Sequence, residues 1–407
     1  MTEFLRPAAE WELQSMIAKL ASENRCAEIV GHGALRNAGR STLPDTVITT
    51  ASMRGISLYE PNELVMSARA GTRLVDIESE LASRRQMLPF EPVDIGPTIG
   101  APSSALSIGG VFATNMSGAR RIATGSARDH LLGVRAVNGR AELFKSGGRV
   151  MKNVTGLDVA RGLTGSWGTL AVLTEVTFKV VPMPHASGTL VYRGLPDDLA
   201  IEALTLAMGT PYEVTGAAHL PKRVAARLKN KNLADMGEPL TLLRLENFPE
   251  SVAERRNKLQ TALKVYGEPS VVAAEESWNL WSELRSLSVM PFSPETILWR
   301  ISTVPTKAPE IVAAIQKFMR VDAFYDWSGG LIWLEVPAAA DAGSADVRRA
   351  VAVRGGHATL IRAAADVRAS VEVFEPMKPE IERLTRGIKT AFDPAGILNP
   401  GRMYATI

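Results

Sequence analysis

Apolar positions recur with helical spacing in "ELQSMIAKLASEN", which places Leu13, Ile17 and Leu20 on one helix face. The same period in "TRLVDIESELASRR" turns Leu74, Ile77 and Leu81 inward. Between them, "ITTASMRGISLYEPNELVMSARAG" reads as two strands about a turn at Pro61-Asn62, and "LAVLTEVTFKVV" alternates as a strand does. Pro182 and Pro184 then mark a linker, and the pattern changes. Strand candidates "TLLRLEN", "TILWRIST", "GLIWLEVP" and "ATLIRA" are interspersed with helices "PESVAERRNKLQTALKVYG" and "PEIVAAIQKFMR". That alternation predicts an α+β region with helices on one face of an antiparallel sheet. The chain closes on a helix, "KPEIERLTRGIKTAF", and an end rich in proline and glycine. The expected division is 1–184, 185–370 and 371–407.

Composition narrows the classes. The 407 residues are 46% hydrophobic and 22% charged, a globular balance with room for two or three domains. A net charge of +3 gives no argument for nucleic acid as a partner. The single cysteine, Cys26, excludes an internal disulfide and the ligand set of an iron–sulfur cluster. No run of 18 apolar residues predicts a membrane span, and the N-terminus lacks a basic region followed by an apolar core. The expectation is a reducing, cytoplasmic setting.

Chemistry enters with "IVGHGALRNAG". Gly31 and Gly33 permit positive φ and close backbone approach, so successive N–H groups can face an anion. Alone, "GHG" is neither the dinucleotide fingerprint nor a P-loop, and a tight strand-to-strand turn explains it equally. A second stretch, "SIGGVFATNMSG", sets Gly109-Gly110 before an apolar segment and the polar residues Thr114, Asn115 and Ser117, then Gly118. Ser107 reads as a helix cap there. A backbone packed against something flat, with hydroxyl and amide donors nearby, fits both readings.

The order "VGHGALRNAG", "ARAGTRLVDIESEL", "LPFEP", "SIGGVFATNMSGAR", "GSARDHLLGVRAV", "VMKNVTGLDVARGLTGSWGTLAVLTEVTFKV" resembles the FAD-binding domain of the vanillyl-alcohol oxidase superfamily, the PCMH-type domain, over about 1–184. The remainder, through "LWRISTVP", "YDWSGGLIWLEVP", "RGGHATLIRA" and "FDPAGILNPGR", resembles the E-type FAD-binding chains of three-part glycolate oxidases. The resemblance implies an α+β fold: a two-lobed PCMH-type FAD-binding domain, an antiparallel-sheet second domain, and a C-terminal tail returning to the flavin. It implies FAD, covalent or noncovalent, with the noncovalent form expected from the place of His32, and a pyrophosphate cradled by Val30, Gly31, His32, Gly33, Ala34 and Leu35. Ser107, Gly109, Gly110, Thr114, Asn115, Ser117 and Gly118 would line the flavin and its chain. Gly168, Val172 and Asn399 would complete the site. His32 lies between the two glycines, whereas the histidines that attach flavin in some members follow them; it reads as a loop histidine.

The chain also departs from that pattern. Leu157 stands where relatives carry tyrosine, which removes a hydroxyl. Hydroxy-acid-oxidising relatives carry a histidine-rich metal motif in the second domain. Here the five histidines, His32, His130, His185, His219 and His357, show no such spacing, so no metal site is expected. His357 reads as a structural histidine at a strand start, or as a lone base. Arg120, Arg121 and Arg128 have the fork geometry to grip a carboxylate, although Arg128-Asp129 reads as an ion pair fixing a loop. Trp278 and Trp281, at helical spacing, read as core or interface. The resemblance implies oxidation of glycolate, a 2-hydroxy acid, to glyoxylate. It also implies a homologous D subunit bearing the metal site and an iron–sulfur F subunit as partners, with membrane association only through them. A self-sufficient FAD oxidoreductase and a structural subunit with a vestigial site are the alternatives.

Overall fold

A computed structural model of the protein describes residues 2–102, 104–148 and 157–407; the stretch "VMKNVTG" falls outside them. The chain forms two compact units. The first comprises Met1–Ser117, Gly125–Met183 and Glu372–Ile407, and the second comprises Gly118–Thr124 and Pro184–Val371. The periodic segments form as their spacing predicts. Helix Glu10–Ser22 buries Leu13, Ile17 and Leu20, and helix Leu74–Ser83 buries Leu74, Ile77 and Leu81.

In the first unit, strands Glu3–Leu5, Thr46–Thr49 and Ala27–Val30 make a small parallel sheet in that order. A five-stranded antiparallel sheet runs Ile56–Glu60, Val65–Arg69, Ala171–Lys179, Leu131–Asn138, Leu143–Gly147. Its central strand, Ala171–Lys179, is buried along almost its whole length instead of at alternate positions. Two cores cause this. Val172 and Val137 join a cluster with helix Glu10–Ser22, while Leu173, Val176 and Phe178 join a larger one with Phe90, Phe112 and Leu81. Arg135 and Ala136 of the neighbouring strand pair with Glu175 and Leu173, so Thr174 is an extra, bulged residue of the central strand, and both Leu173 and Val176 face the larger core although their numbers differ in parity.

The second unit is built on an eight-stranded antiparallel sheet. Its order is Ser270–Ala273, Ala186–Arg193, Leu240–Asn247, Val214–Leu220, Asp322–Asp326, Leu331–Pro337, Thr296–Ser302, His357–Arg362. Helices cover both faces, which corrects the one-face expectation. Ser187 and Thr189 pair with Glu246 and Arg244 on one face. There helix Ala274–Arg285 sets Ser277 Oγ 2.8 Å from both hydroxyls, and Trp281 Nε1 donates to Thr189. His219 and Thr241 lie on the other face, where His219 meets Asp197 at the start of helix Asp197–Met208. Helix Pro249–Ala262 shares that second face, with Val252 against Gly188. Polar sheet positions thus alternate with apolar ones, and each set recruits its own helix. Trp281 is buried under the Arg244 guanidinium, as a core residue, and Trp278 is half-buried.

The C-terminal helix, Pro379–Phe392, belongs to the first unit. Its Lys389 is buried and donates to Asp393 Oδ2 at 2.7 Å, Thr169 O at 2.7 Å and Leu398 O at 2.9 Å. Asp393 in turn accepts from the N–H groups of Ile397 and Leu398. All three ammonium donors are used, so the buried charge is compensated and the tail is fixed in direction. Removing one partner of a buried pair strands the other charge, at a cost of roughly 3–5 kcal/mol. Lys389→Met should lower the unfolding free energy by about that amount, measured by urea denaturation. A loss below about 1 kcal/mol, the range of an exposed pair, would show that this cluster does not hold the tail.

Candidate functional site

A cleft opens in the first unit between its loops and the C-terminal tail. One wall is the loop after strand Ala27–Val30, from Val30 through Gly31, His32, Gly33 and Ala34 to Leu35. A second is Ser107, Gly109, Gly110 and Thr114 of the short helix Ile108–Thr114. Gly168 and Val172 form a third, and Asn399 closes it from the tail. The fold thus brings together four stretches that are far apart in sequence.

The loop is held from outside while its donors stay available. Among the described residues, the N–H groups of His32, Gly33, Ala34 and Leu35 have no acceptor in the protein. Thr49 Oγ1 donates to Gly31 O at 2.6 Å. Because the trans peptide is planar, this turns the His32 N–H the opposite way. His32 Nε2 donates to Gly71 O at 2.7 Å, so its ring anchors the loop to a neighbouring turn. Gly31 has no room for a side chain: a Cβ there would lie 2.4 Å from Ser107 Oγ. Clustered amides with no protein acceptor are the arrangement that binds a phosphate or pyrophosphate, so the donor set fits FAD.

The C-terminal tail supplies the rest. Asn399 Oδ1 accepts from Ile29 N–H at 2.8 Å, and its Nδ2 donates to Trp167 O at 2.7 Å. Arg402, buried, donates through Nη2 to Leu35 O at 2.7 Å and Arg36 O at 3.2 Å. Glu28 lies beneath, bound by Arg36 Nη2 at 2.6 Å and 3.7 Å from Arg402 Nη1. Arg402, Trp167 and Thr50 line the cleft but escape the sequence reading. The available signals were the glycines flanking Trp167 and the arginine following "NPG".

Other expected residues lie elsewhere. Gly109 lines the cleft, but its missing side chain serves packing: a Cβ would lie 2.7 Å from Ala70 O. Asn115, Ser117 and Gly118 stand outside the lining. Asn115 Oδ1 accepts from Arg128 N–H, Ser117 Oγ accepts from Ala127 N–H, and Gly118 belongs to the second unit. The loop before strand Leu131–Asn138 is fixed by Asp129, which accepts from both the N–H and the hydroxyl of Ser126 at 2.8 Å. This capping box takes the place of the expected Arg128-Asp129 ion pair; the bonded partner of Asp129 is two residues further back than predicted.

The arginine and histidine candidates separate. Arg120 is buried and bonds Glu246 Oε2 at 2.5 Å, in the second unit. Arg121, its neighbour, lies over the Trp327 ring at 4.5 Å. His357 is exposed at the start of strand His357–Arg362, opposite Ser302. His130 stacks on Phe90, His185 on Phe248, and His219 is buried between Asp197 and Thr241. Among the described residues, no three His, Cys, Asp or Glu side chains converge as a metal-ligand set.

Arg402 positions the loop through two carbonyls. A hydrogen bond to a charged group contributes roughly 1.5–3 kcal/mol. Arg402→Gln should therefore weaken FAD binding by about 10- to 100-fold, equivalent to that energy. ADP, which carries the pyrophosphate, should lose affinity in parallel, and riboflavin should not. Flavin fluorescence and calorimetric titration measure the three. Equal weakening for riboflavin would place the effect outside the loop.

Comparison with known proteins agrees with this geometry. Residues 2–147 match the family described as FAD binding domain. The chain is 34% identical to glycolate oxidase subunit GlcE of Escherichia coli (strain K12) over 87% of its length and 86% of that protein. It is 26% identical to glycolate oxidase subunit GlcD of Bacillus subtilis (strain 168), over 96% of this chain and 86% of that one. Among solved structures, p-cresol methylhydroxylase with substrate bound shares the fold at a TM-score of 0.73, covering 98% of this chain and 88% of that one at 14% identity. A cleft whose backbone donors suit FAD, in a chain alike over most of its length to these proteins, has one family assignment: this chain belongs to the FAD-dependent oxidoreductase family that includes glycolate oxidase subunit GlcE.

Proposed function

We propose that this chain is the FAD-binding subunit of a complex that oxidises glycolate, or a related 2-hydroxy acid, to the 2-oxo acid. The observation that carries the reading is the run of four main-chain N–H groups, His32 to Leu35, left without acceptors among the described residues and lying along a cleft lined also by Asn399 and Arg402. Bound FAD supplies a two-electron acceptor. The chain's own residues hold it: the loop amides bind the pyrophosphate, Arg402 and Thr49 keep the loop carbonyls turned away, and Val172 and Gly168 bound the cleft. Attachment is noncovalent in this reading. His32 Nε2 is spent on Gly71 O, and the ring serves as a peg for the loop.

The histidines support a division of labour. His32 is spent on Gly71 O and His219 on Asp197 and Thr241, while His130 and His185 stack on Phe90 and Phe248. The metal-bearing substrate site expected of hydroxy-acid oxidation then belongs to a homologous subunit, for which the relative GlcD is the pattern, with a third, iron–sulfur chain carrying electrons onward. No helix among the described residues is long and apolar enough to cross a membrane. A cytoplasmic position, with any membrane attachment supplied by partners, accords with that.

One experiment addresses both points. Purified chain is reconstituted with FAD, freed of excess, and divided. Acid precipitation should release the flavin into the supernatant, from wild type and from His32→Ala alike. Under anaerobic conditions, glycolate should leave the flavin absorbance unbleached until the homologous subunit is added. Flavin retained in the wild-type pellet and lost only in His32→Ala would identify a covalent anchor. Bleaching of the chain alone would make it self-sufficient, and failure to take up FAD would make it a structural subunit.

A further inference from the structure

Beyond Asn399 runs a short segment, Pro400 to Ile407, of turns and bends without helix or strand. It stands between two recesses of the first unit and gives a wall to each. Arg402 lines the cofactor cleft. Met403, Tyr404 and Ile407 line a second, apolar groove, together with Leu163, Ile388 and Phe392. Ser166 lines both recesses, so the cleft and the groove lie back to back.

The segment closes largely on itself. Gly401 N–H donates to Ile407 O at 2.8 Å, Arg402 N–H to Asn399 O at 3.1 Å, and Ile407 N–H to Tyr404 O at 3.1 Å. Its grip on the rest of the unit runs through Arg402. The guanidinium holds Leu35 O and Arg36 O, and Arg402 O accepts from Arg40 N–H at 2.9 Å. Thr406, which is exposed, adds a hydroxyl bond to Glu382 at 3.3 Å. Arg402 is buried, Met403, Tyr404 and Ile407 are half-buried, and Ala405 is exposed. A loop bonded mainly to itself and anchored by one buried side chain opens at lower free energy than a strand inside a sheet. Its root also suits a hinge. Asn399 and Gly401, with φ of 43° and 71°, flank Pro400, and hinges are a few such loop positions that absorb a backbone rotation. Asn399 stays pinned to Ile29 and Trp167, so any swing begins after it.

We infer that Pro400 to Ile407 is a strap that swings about Gly401, and that FAD closes it. Arg402 connects the two events. It anchors the end of the loop whose amides take the pyrophosphate, and an open strap withdraws that anchor. FAD therefore binds the closed state more tightly than the open one, and by reciprocity its binding draws the strap shut. The groove is the other seat of the strap. Tyr404 packs on Phe374 at 5.9 Å between ring centroids, and Phe374 meets Trp167 of the cleft wall at 5.3 Å. A change on the groove side thus reaches the cofactor without touching it. The inference rests on FAD occupying this cleft.

Amide hydrogen exchange at Gly401 and Ile407 tests it, because neither residue lines the cleft. Saturating FAD should slow exchange at both by about tenfold or more, within the range of ordinary coupling between sites. ADP, which carries the pyrophosphate, should protect them as FAD does, and riboflavin should not. On the groove side, Ile407→Ser should speed FAD release by about fivefold or more, followed by the rise in fluorescence of freed flavin, and Ile407→Val should release FAD as wild type does. Far-ultraviolet circular dichroism identifies a misfolded Ile407→Ser, in which case exchange in the wild type decides. FAD uptake with unchanged exchange at Gly401 and Ile407, equal protection by riboflavin, or wild-type release from folded Ile407→Ser would each overturn the strap while leaving the cofactor reading intact. Failure of the wild type to take up FAD would contradict the cofactor reading, and the strap with it.

Discussion

The side-chain amide of Asn399 joins the segments on which the cofactor cleft depends. Its oxygen takes the N–H of Ile29, its nitrogen gives to Trp167 O, and its own N–H gives to Ala27 O. One residue thereby locks the strand that leads into the loop, the turn that precedes strand Ala171–Lys179, and the tail. Only a group with a donor and an acceptor in one plane can serve both sides, which is why an amide occupies the position. Asn399 adopts φ of 43°, a conformation that asparagine tolerates better than most residues. The Lys389–Asp393 cluster fixes the approach to it, through Leu398 O and the N–H of Leu398.

The loop has one consistent logic on that base. Its carbonyls are drawn outward by Thr49 and Arg402, its histidine is pegged to Gly71, and Glu28 balances Arg36 and Arg402. What stays available is a row of amides. Preorganised donors bind an anion without the rotamer entropy that lysine or arginine side chains would lose. The helix Ile108–Thr114 approaches closely because Gly109 admits Ala70, and Ser107 fits against Gly31. The glycines are thus spent on packing the walls as much as on the ligand.

Much of this was legible in the sequence, for identifiable reasons. Helix faces at Leu13, Ile17, Leu20 and at Leu74, Ile77, Leu81 depend only on local period. The glycine-marked loop and "LNPG" were visible because special backbone geometry leaves a residue signature. Arg402 was not, because its partners Leu35 and Arg36 lie more than 360 residues earlier in the chain. The second face of the large sheet was hidden because it requires knowing that Ser187 pairs with Glu246 and not with a neighbour one residue away. Asn115 and Ser117 resembled ligand donors because a polar side chain after a glycine pair looks alike whether it serves a cofactor or the next helix.

The central claim is that main-chain amides, and not side-chain charges, hold the cofactor. Amide hydrogen exchange of the protein with and without FAD measures this residue by residue. The account predicts that FAD slows exchange most strongly at His32, Gly33, Ala34 and Leu35, with Ile29 already protected by Asn399 in both states. Unchanged exchange across those four amides on saturation with FAD, with protection appearing at another segment, would contradict it.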